Sequence, residues 1–153
     1  MSYQVEICVA MCLLYVSTDS RKCLLIVPVY AIYFHMKRSI KDRLKAWKAH
    51  LPRKPLILRG ARQVGKTYSL LDFGKGEFSH CHYVNFEKDE RAIRIFEKDL
   101  RPERIITELQ FLYDHSIERQ KDLLILDEIQ RCPRALTSLK YFAEEIPELA
   151  LCA

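Results

Sequence analysis

The stretch Leu56-Ile57-Leu58-Arg59-Gly60-Ala61-Arg62-Gln63-Val64-Gly65-Lys66-Thr67 most narrows what this chain can fold into. A short apolar run, suited to a buried strand, leads into a glycine-bounded loop, and Lys-Thr opens the segment that follows. The spacing Gly60-x-x-x-x-Gly65-Lys66-Thr67 is that of a phosphate-binding loop, Walker A. Gly60 and Gly65 free the backbone for conformations that a Cβ disfavours, so consecutive N–H groups of Ala61, Arg62, Gln63 and Val64 can turn around an anion. A helix opening at Thr67 and Tyr68 adds its positive dipole end to the same point. Lys66 has the reach for terminal phosphates, and the Thr67 hydroxyl is a hard oxygen ligand of the kind Mg²⁺ takes. A strand-to-helix turn beside a basic helix would give part of the same pattern. The chain has four glycines, however, and two of them fall at the positions the loop requires.

A second landmark is Leu123-Leu124-Ile125-Leu126-Asp127-Glu128. An uninterrupted apolar run fits a strand covered on both faces of a parallel sheet, and the acids fall at its C-terminal end. Ligands of open α/β sheets bind at that end, so Asp127 and Glu128 are expected to face the glycine loop. Asp127 suits the surroundings of a Mg²⁺ held near Thr67, and Glu128 suits a carboxylate that orients or deprotonates water. An acid pair capping the next helix is the simpler reading of Asp127-Glu128 seen alone; the loop upstream favours the chemical one.

Between and around these landmarks the pattern alternates strand and helix. Residues 40–51 carry Ile40, Leu44, Trp47 and Leu51 on one helical face, with Ser39 as the expected cap and Pro52 as the stop. Trp47 reads as a packing residue. A helix from Lys66 is expected to end at Gly74-Lys75-Gly76, and residues 82–86 read as a strand. Asp89 is placed to cap a helix bearing Ile93, Phe96 and Leu100, and Pro102 to open one bearing Ile105, Ile106, Leu109, Leu112 and Tyr113.

Charge is unevenly distributed. Residues 37–66 hold eleven Lys/Arg against Asp42 alone, a balance of +10 in a chain whose net charge is +5. Such a block attracts nucleic acid or other anions, but it also describes a solvated helix face leading to a phosphate site, which is the preferred reading. The six cysteines form no paired C-x-x-C set, and His80-Cys81-His82 is expected to alternate across a strand, so reduced thiols in a cytoplasmic protein is the plain reading. Residues 1–35 differ from the rest. Their apolar runs, 7–16 and 23–34, each fall short of the ~20 residues of a membrane helix. Glu6, with no base before the first run, fits a signal peptide poorly. A two-stranded hairpin around Pro28-Val29-Tyr30 and an extension upstream of a start at Met36 both remain open.

Four segments occur in order: Leu58-Arg59-Gly60-Ala61-Arg62-Gln63-Val64-Gly65-Lys66-Thr67, Asn85-Phe86-Glu87, Asp127-Glu128-Ile129-Gln130, and Ala135-Leu136-Thr137-Ser138-Leu139-Lys140-Tyr141-Phe142. Together they resemble an AAA-type P-loop ATPase family of bacteria and archaea, whose members usually carry a C-terminal DUF4143 domain. The resemblance spans residues 36–153 and leaves 1–35 as an unassigned apolar extension. It implies an α/β P-loop NTPase fold of the ASCE/AAA type, a three-layer sandwich with a mostly parallel sheet. Residues 149–153 would form a strand between the P-loop strand and the Asp127 strand. A further strand, a polar sensor residue, any arginine finger and the C-terminal domain would follow Ala153, so the resemblance implies a partial domain with the P-loop strand at a sheet edge. The implied function is ATP binding with Mg²⁺, and hydrolysis in the full-length form, with Lys66 and Glu128 catalytic, Gly60 to Tyr68 holding the nucleotide, and Thr67 and Asp127 serving the metal. The chain by itself is expected to bind with little turnover. The alternative is a non-catalytic nucleotide-dependent interaction or nucleic-acid-binding module. A homo-oligomer or protein partner is compatible with either, and a membrane is not expected.

Overall fold

The computed structural model describes residues 40–61 and 63–153, together with the backbone of residues 6–9; Arg62, Ser39 and the hairpin reading around residues 28–30 lie outside the described residues. In chain order the elements are β1 (Glu6–Val9), α1 (40–49), β2 (Ile57–Gly60), α2 (Lys66–Glu77), β3 (Cys81–Asn85), α3 (Glu90–Lys98), α4 (Pro102–Tyr113), β4 (Leu123–Asp127), a 3-10 turn (Ile129–Arg131), α5 (Pro133–Glu145) and β5 (Ala150–Cys152).

β4 organises the sheet because successive residues face opposite apolar layers. Leu124 and Leu126 pack with Val84, Phe96, Ile105, Leu109 and Phe142 from the α3–α5 side. Leu123 and Ile125 pack with Leu44, Leu70 and Phe73 from the α1–α2 side. Each such side chain contributes about 1.5–3 kcal/mol when taken from water, and with both faces covered the strand has no solvent side. Helices on both faces of a parallel sheet make the three-layer α/β sandwich that the family resemblance implies.

Both neighbours of β4 are parallel to it, Tyr83 opposite Ile125 and Asn85 opposite Asp127 on one side, Leu124 opposite Leu151 on the other. β2 joins beyond β5 through a bridge between Leu56 and Cys152. The amides of Leu56 and Leu58 donate to Leu151 and Ala153 at 2.9 and 2.7 Å, and the Ala153 amide returns a bond to Leu56 at 2.8 Å. The segment expected between the P-loop strand and the Asp127 strand therefore lies there.

The outer edge of β2 differs from expectation. In place of an unpaired strand, β1 runs parallel to β2, with residues 7 and 8 opposite Leu58 and Arg59. The reason is a property of parallel ladders: β5 satisfies alternate amides of β2, and the rest need a second neighbour. Part of the apolar run at residues 7–16 supplies it.

α2 also differs. It continues through Gly74 and Gly76 to Glu77. Gly74 is buried, and a Cβ there would stand 2.6 Å from Cys81 Sγ and 3.1 Å from Leu123 Cδ2. The residue serves close helix–sheet approach, and packing outweighs the ~1 kcal/mol helical penalty of glycine. In α3 the buried face is Ala92, Ile95 and Phe96, with Ile93 packed at its margin. Asp89 caps α3 by accepting the Arg91 amide at 3.0 Å, and Pro102 occupies the first turn of α4.

Trp47 packs at 6.5 Å from the Phe73 ring and donates through Nε1 to the Lys54 carbonyl at 2.7 Å. Arg53, almost wholly buried, ties the end of α1 to the approach to β5 by donating to the carbonyls of Lys48 and Glu148, both at 3.0 Å.

Candidate functional site

The carboxyl ends of β2 and β4 and the first turn of α2 meet at one place. Gly60 closes β2, and Gly65 caps α2 with left-handed backbone, φ 85°. A Cβ at Gly65 would meet nothing within 4 Å, so its requirement is conformational rather than steric. Gln63 takes the left-handed region too, φ 63°, one of three non-glycine residues that do so among those described. Ser69 then fastens the first turn, its amide and its hydroxyl donating to the Gly65 carbonyl at 3.0 and 2.9 Å. The Lys66 ammonium lies over the loop and donates to the carbonyls of Gly60 and Ala61 at 3.0 and 2.8 Å. Val64 completes the described part of the loop half-buried, and Tyr68 projects from the first turn with its ring largely exposed.

Across from the loop, Asp127 ends β4 and Glu128 follows in the left-handed region, φ 54°. Asp127 Oδ1 accepts the Glu128 amide at 3.1 Å, and the Glu128 side chain accepts a close bond from Gln130 Nε2. Oδ2 of Asp127 accepts the Thr67 hydroxyl at 3.1 Å. The structure thus joins Thr67 and Asp127, and sets Lys66 on the loop of the same α2 terminus.

Two residues here have no site role in the sequence reading, although Asn85 stands in one of the segments that carry the resemblance. The Tyr83 hydroxyl donates to Asp127 Oδ2 at 2.6 Å, and Asn85 Nδ2 donates to the Tyr83 oxygen at 2.9 Å. Burial pushes the Tyr83 phenol above its ordinary value; the Asn85 bond opposes this and the Asp127 carboxylate adds to it, so the hydroxyl stays protonated and donates. Strand alternation in residues 81–85 could have placed Tyr83 and Asn85 on one face, but only the β3–β4 register brings that face to Asp127. Asn85 also accepts the amides of Glu87 and Lys88 at 2.9 and 3.1 Å, which turns the chain out of β3. Beside that turn, Glu87 and Arg131 pair at 3.2 Å.

Three lysines of the basic stretch before the loop are engaged with α2. Lys41 pairs with Asp72 at 2.7 Å, and Lys45 and Lys48 pair with Glu77 at 3.3 and 3.4 Å. At the opposite end of the sheet, His80 and His82 share a face and both bond the buried Asp122, while Cys81 packs against Gly74 on the other face. No group of three or more His, Cys, Asp or Glu among the described residues is arranged to hold a metal, and no described helix is long and apolar enough to cross a membrane.

Comparison with curated proteins and with solved structures finds no match. A protein family described as an AAA domain matches residues 52–152, which contain the glycine loop, the Tyr83–Asn85 strand, the Asp127–Glu128 turn and β5. With two thirds of its length matched, and with the parallel α/β sandwich that carries the loop at the carboxyl end of the sheet, the chain belongs to this AAA-domain family.

Proposed function

We propose that the chain binds ATP together with Mg²⁺ at the loop of residues 60–67, and that the protein to which this domain belongs hydrolyses it. The observation that carries the reading is the 3.1 Å bond from Thr67 to Asp127, which sets a hydroxyl and a carboxylate from distant segments beside the Lys66 loop. Hard oxygen donors of this kind fit Mg²⁺, which binds through one or two protein oxygens and keeps several waters. When bound, Mg²⁺ neutralises charge on the β- and γ-phosphate oxygens.

The roles follow from chemistry at each atom. Amides of Ala61, Arg62, Gln63, Val64 and Gly65 receive phosphate oxygens, with the α2 dipole behind them. Lys66 exchanges the Gly60 and Ala61 carbonyls for phosphate. Thr67 donates its proton to Asp127, so its oxygen lone pairs would be free to hold Mg²⁺, and Tyr68 would border the nucleotide. Glu128, set just past β4 on left-handed backbone, would accept a proton from water at the γ-phosphate. The nucleic-acid alternative draws less support, because Lys41, Lys45 and Lys48 are spent on acids of α2.

Calorimetry with ATP, with and without Mg²⁺, tests the reading. Lys66→Ala removes a charge-assisted contact of roughly 1.5–3 kcal/mol, so affinity should fall about ten- to a hundredfold. Unchanged binding in that variant overturns the assignment of the loop.

A further inference from the structure

We propose that Tyr83 is a positioning residue for Asp127: its hydroxyl selects which carboxylate oxygen of Asp127 stays open to a metal-bound water. The inference rests on the nucleotide–metal reading of this site and adds a residue to it.

The bonds around Asp127 are unequal. Oδ2 accepts from Tyr83 at 2.6 Å and from Thr67 at 3.1 Å, with Asn85 Nδ2 a further 3.5 Å away. Oδ1 accepts the Glu128 amide at 3.1 Å. A carboxylate offers about two acceptor directions on each oxygen, so Tyr83 and Thr67 fill Oδ2 and one direction remains on Oδ1. That direction belongs to the oxygen nearer in bonding to Glu128, the residue assigned to water. The shortest of these contacts is the one from Tyr83, at the length of a charge-assisted O–H···O⁻ bond.

Tyr83 is well placed for such a task. It stands on β3 in fixed parallel register with β4, so rigid sheet rather than loop delivers the hydroxyl. Asn85 lies two residues on, opposite Asp127, and its amide donates to the phenol oxygen, orienting the phenolic proton toward Oδ2. The Tyr83 ring packs against the α1–α2 apolar layer, a role that a phenylalanine would fill equally well. The hydroxyl is therefore the informative group. Without it Asp127 Oδ2 keeps Thr67, itself assigned to the metal, and the long 3.5 Å contact from Asn85. The carboxylate can then turn, and either oxygen can be offered to water.

The test compares wild type, Tyr83→Phe, Asp127→Asn and the double variant. Mn²⁺ is titrated into each protein held in excess over ATP, so that little free ATP is left to chelate the metal, and free Mn²⁺ is followed by its electron paramagnetic resonance signal. ATP affinity in chelator and the melting temperature are measured alongside. Tyr83→Phe should weaken Mn²⁺ binding three- to tenfold, leave metal-free ATP affinity within twofold, and add nothing to the loss caused by Asp127→Asn. Equal Mn²⁺ affinity in wild type and Tyr83→Phe overturns the inference. So does a loss that is the same with and without metal, or one that adds fully to that of Asp127→Asn, since either marks a general packing effect. A wild-type chain that binds no nucleotide overturns the proposed function itself; a wild type that binds Mn-ATP no better than Tyr83→Phe overturns this inference alone.

Discussion

The Thr67 hydroxyl donates to Oδ2 of Asp127 across 3.1 Å, although the two residues lie 60 positions apart. One begins α2 and the other ends β4, and β5 and β2 set their separation. Removing the carboxylate's charge should therefore act on metal dependence before it acts on nucleotide affinity. In Asp127→Asn, the gain in ATP affinity on adding Mg²⁺ should shrink at least several-fold, with metal-free binding preserved. Calorimetry at a series of Mg²⁺ concentrations measures it, and an undiminished gain removes Asp127 from the metal site.

Glu128 should behave differently. Its side chain is engaged by Gln130, whereas Thr67 is the residue that bonds Asp127, so Glu128→Gln should leave Mg-ATP affinity within a few-fold. Any phosphate release should drop about a hundredfold or more, the usual range for losing a positioned acid–base group. Equal turnover in the variant would show that another group handles water.

Gly74 and Gly76 lie two residues apart in α2 and should respond in opposite senses. Gly76→Ala meets nothing within 4 Å and should gain up to ~1 kcal/mol from helix propensity. Gly74→Ala earns the same propensity but forces Cys81 and Leu123 aside, and overpacking of this kind costs about 1–3 kcal/mol. Urea titration of both variants should find Gly74→Ala at or below wild type and Gly76→Ala above it. The same sign for both would mean that the sheet yields to the added methyl.

Asp122 links stability to pH. Burial acts to raise its pKa, but the Glu118 amide and the bonds to His82 and His80 outweigh that and hold it below the usual carboxylate value of 3.8. A depressed folded-state pKa contributes stability that is present above the unfolded value and lost as pH falls through the folded one. Part of the acid unfolding below about pH 4 should thus belong to Asp122. Asp122→Ala strands the amides of His80 and Glu118 and should cost about 1–3 kcal/mol at neutral pH, with a shallower acid limb. An acid limb identical to wild type would assign the proton uptake elsewhere.

The pairing of β1 with β2 predicts a stability effect at some distance from the ligand. Deleting residues 1–9 removes the parallel partner of Ile57–Gly60 and leaves ladder groups to water, each net bond being worth roughly 0.5–1.5 kcal/mol. Melting should begin several degrees lower, and Mg-ATP should recover part of the loss, since a ligand of the folded state shifts the folding equilibrium. A melting curve indistinguishable from wild type would show that β1 contributes nothing measurable to the sheet.

What the sequence alone determined is what short spacings encode. Gly60-x-x-x-x-Gly65-Lys66-Thr67 states its own turn and helix start, the apolar run at 123–126 states a strand covered on both faces, and Asp89 and Pro102 mark helix beginnings through local backbone chemistry. Tertiary structure decided the features that depend on register between segments. Tyr83 and Asn85 belong to the site because β3 pairs with β4 so that Asn85 lies opposite Asp127; a shift of one residue would turn both toward the α3–α5 layer. Gly74 reads locally as a helix stop, yet the helix runs through it, and the glycine is there because Cys81 and Leu123 lie too close for a side chain. His80 and His82 are bound by Asp122, 40 and more positions away, and residues 6–9 serve the outer edge of β2. A sequence carries turn, cap and burial preferences residue by residue; which edges and faces meet is settled only when the whole sheet closes and its buried amides and carboxylates find partners.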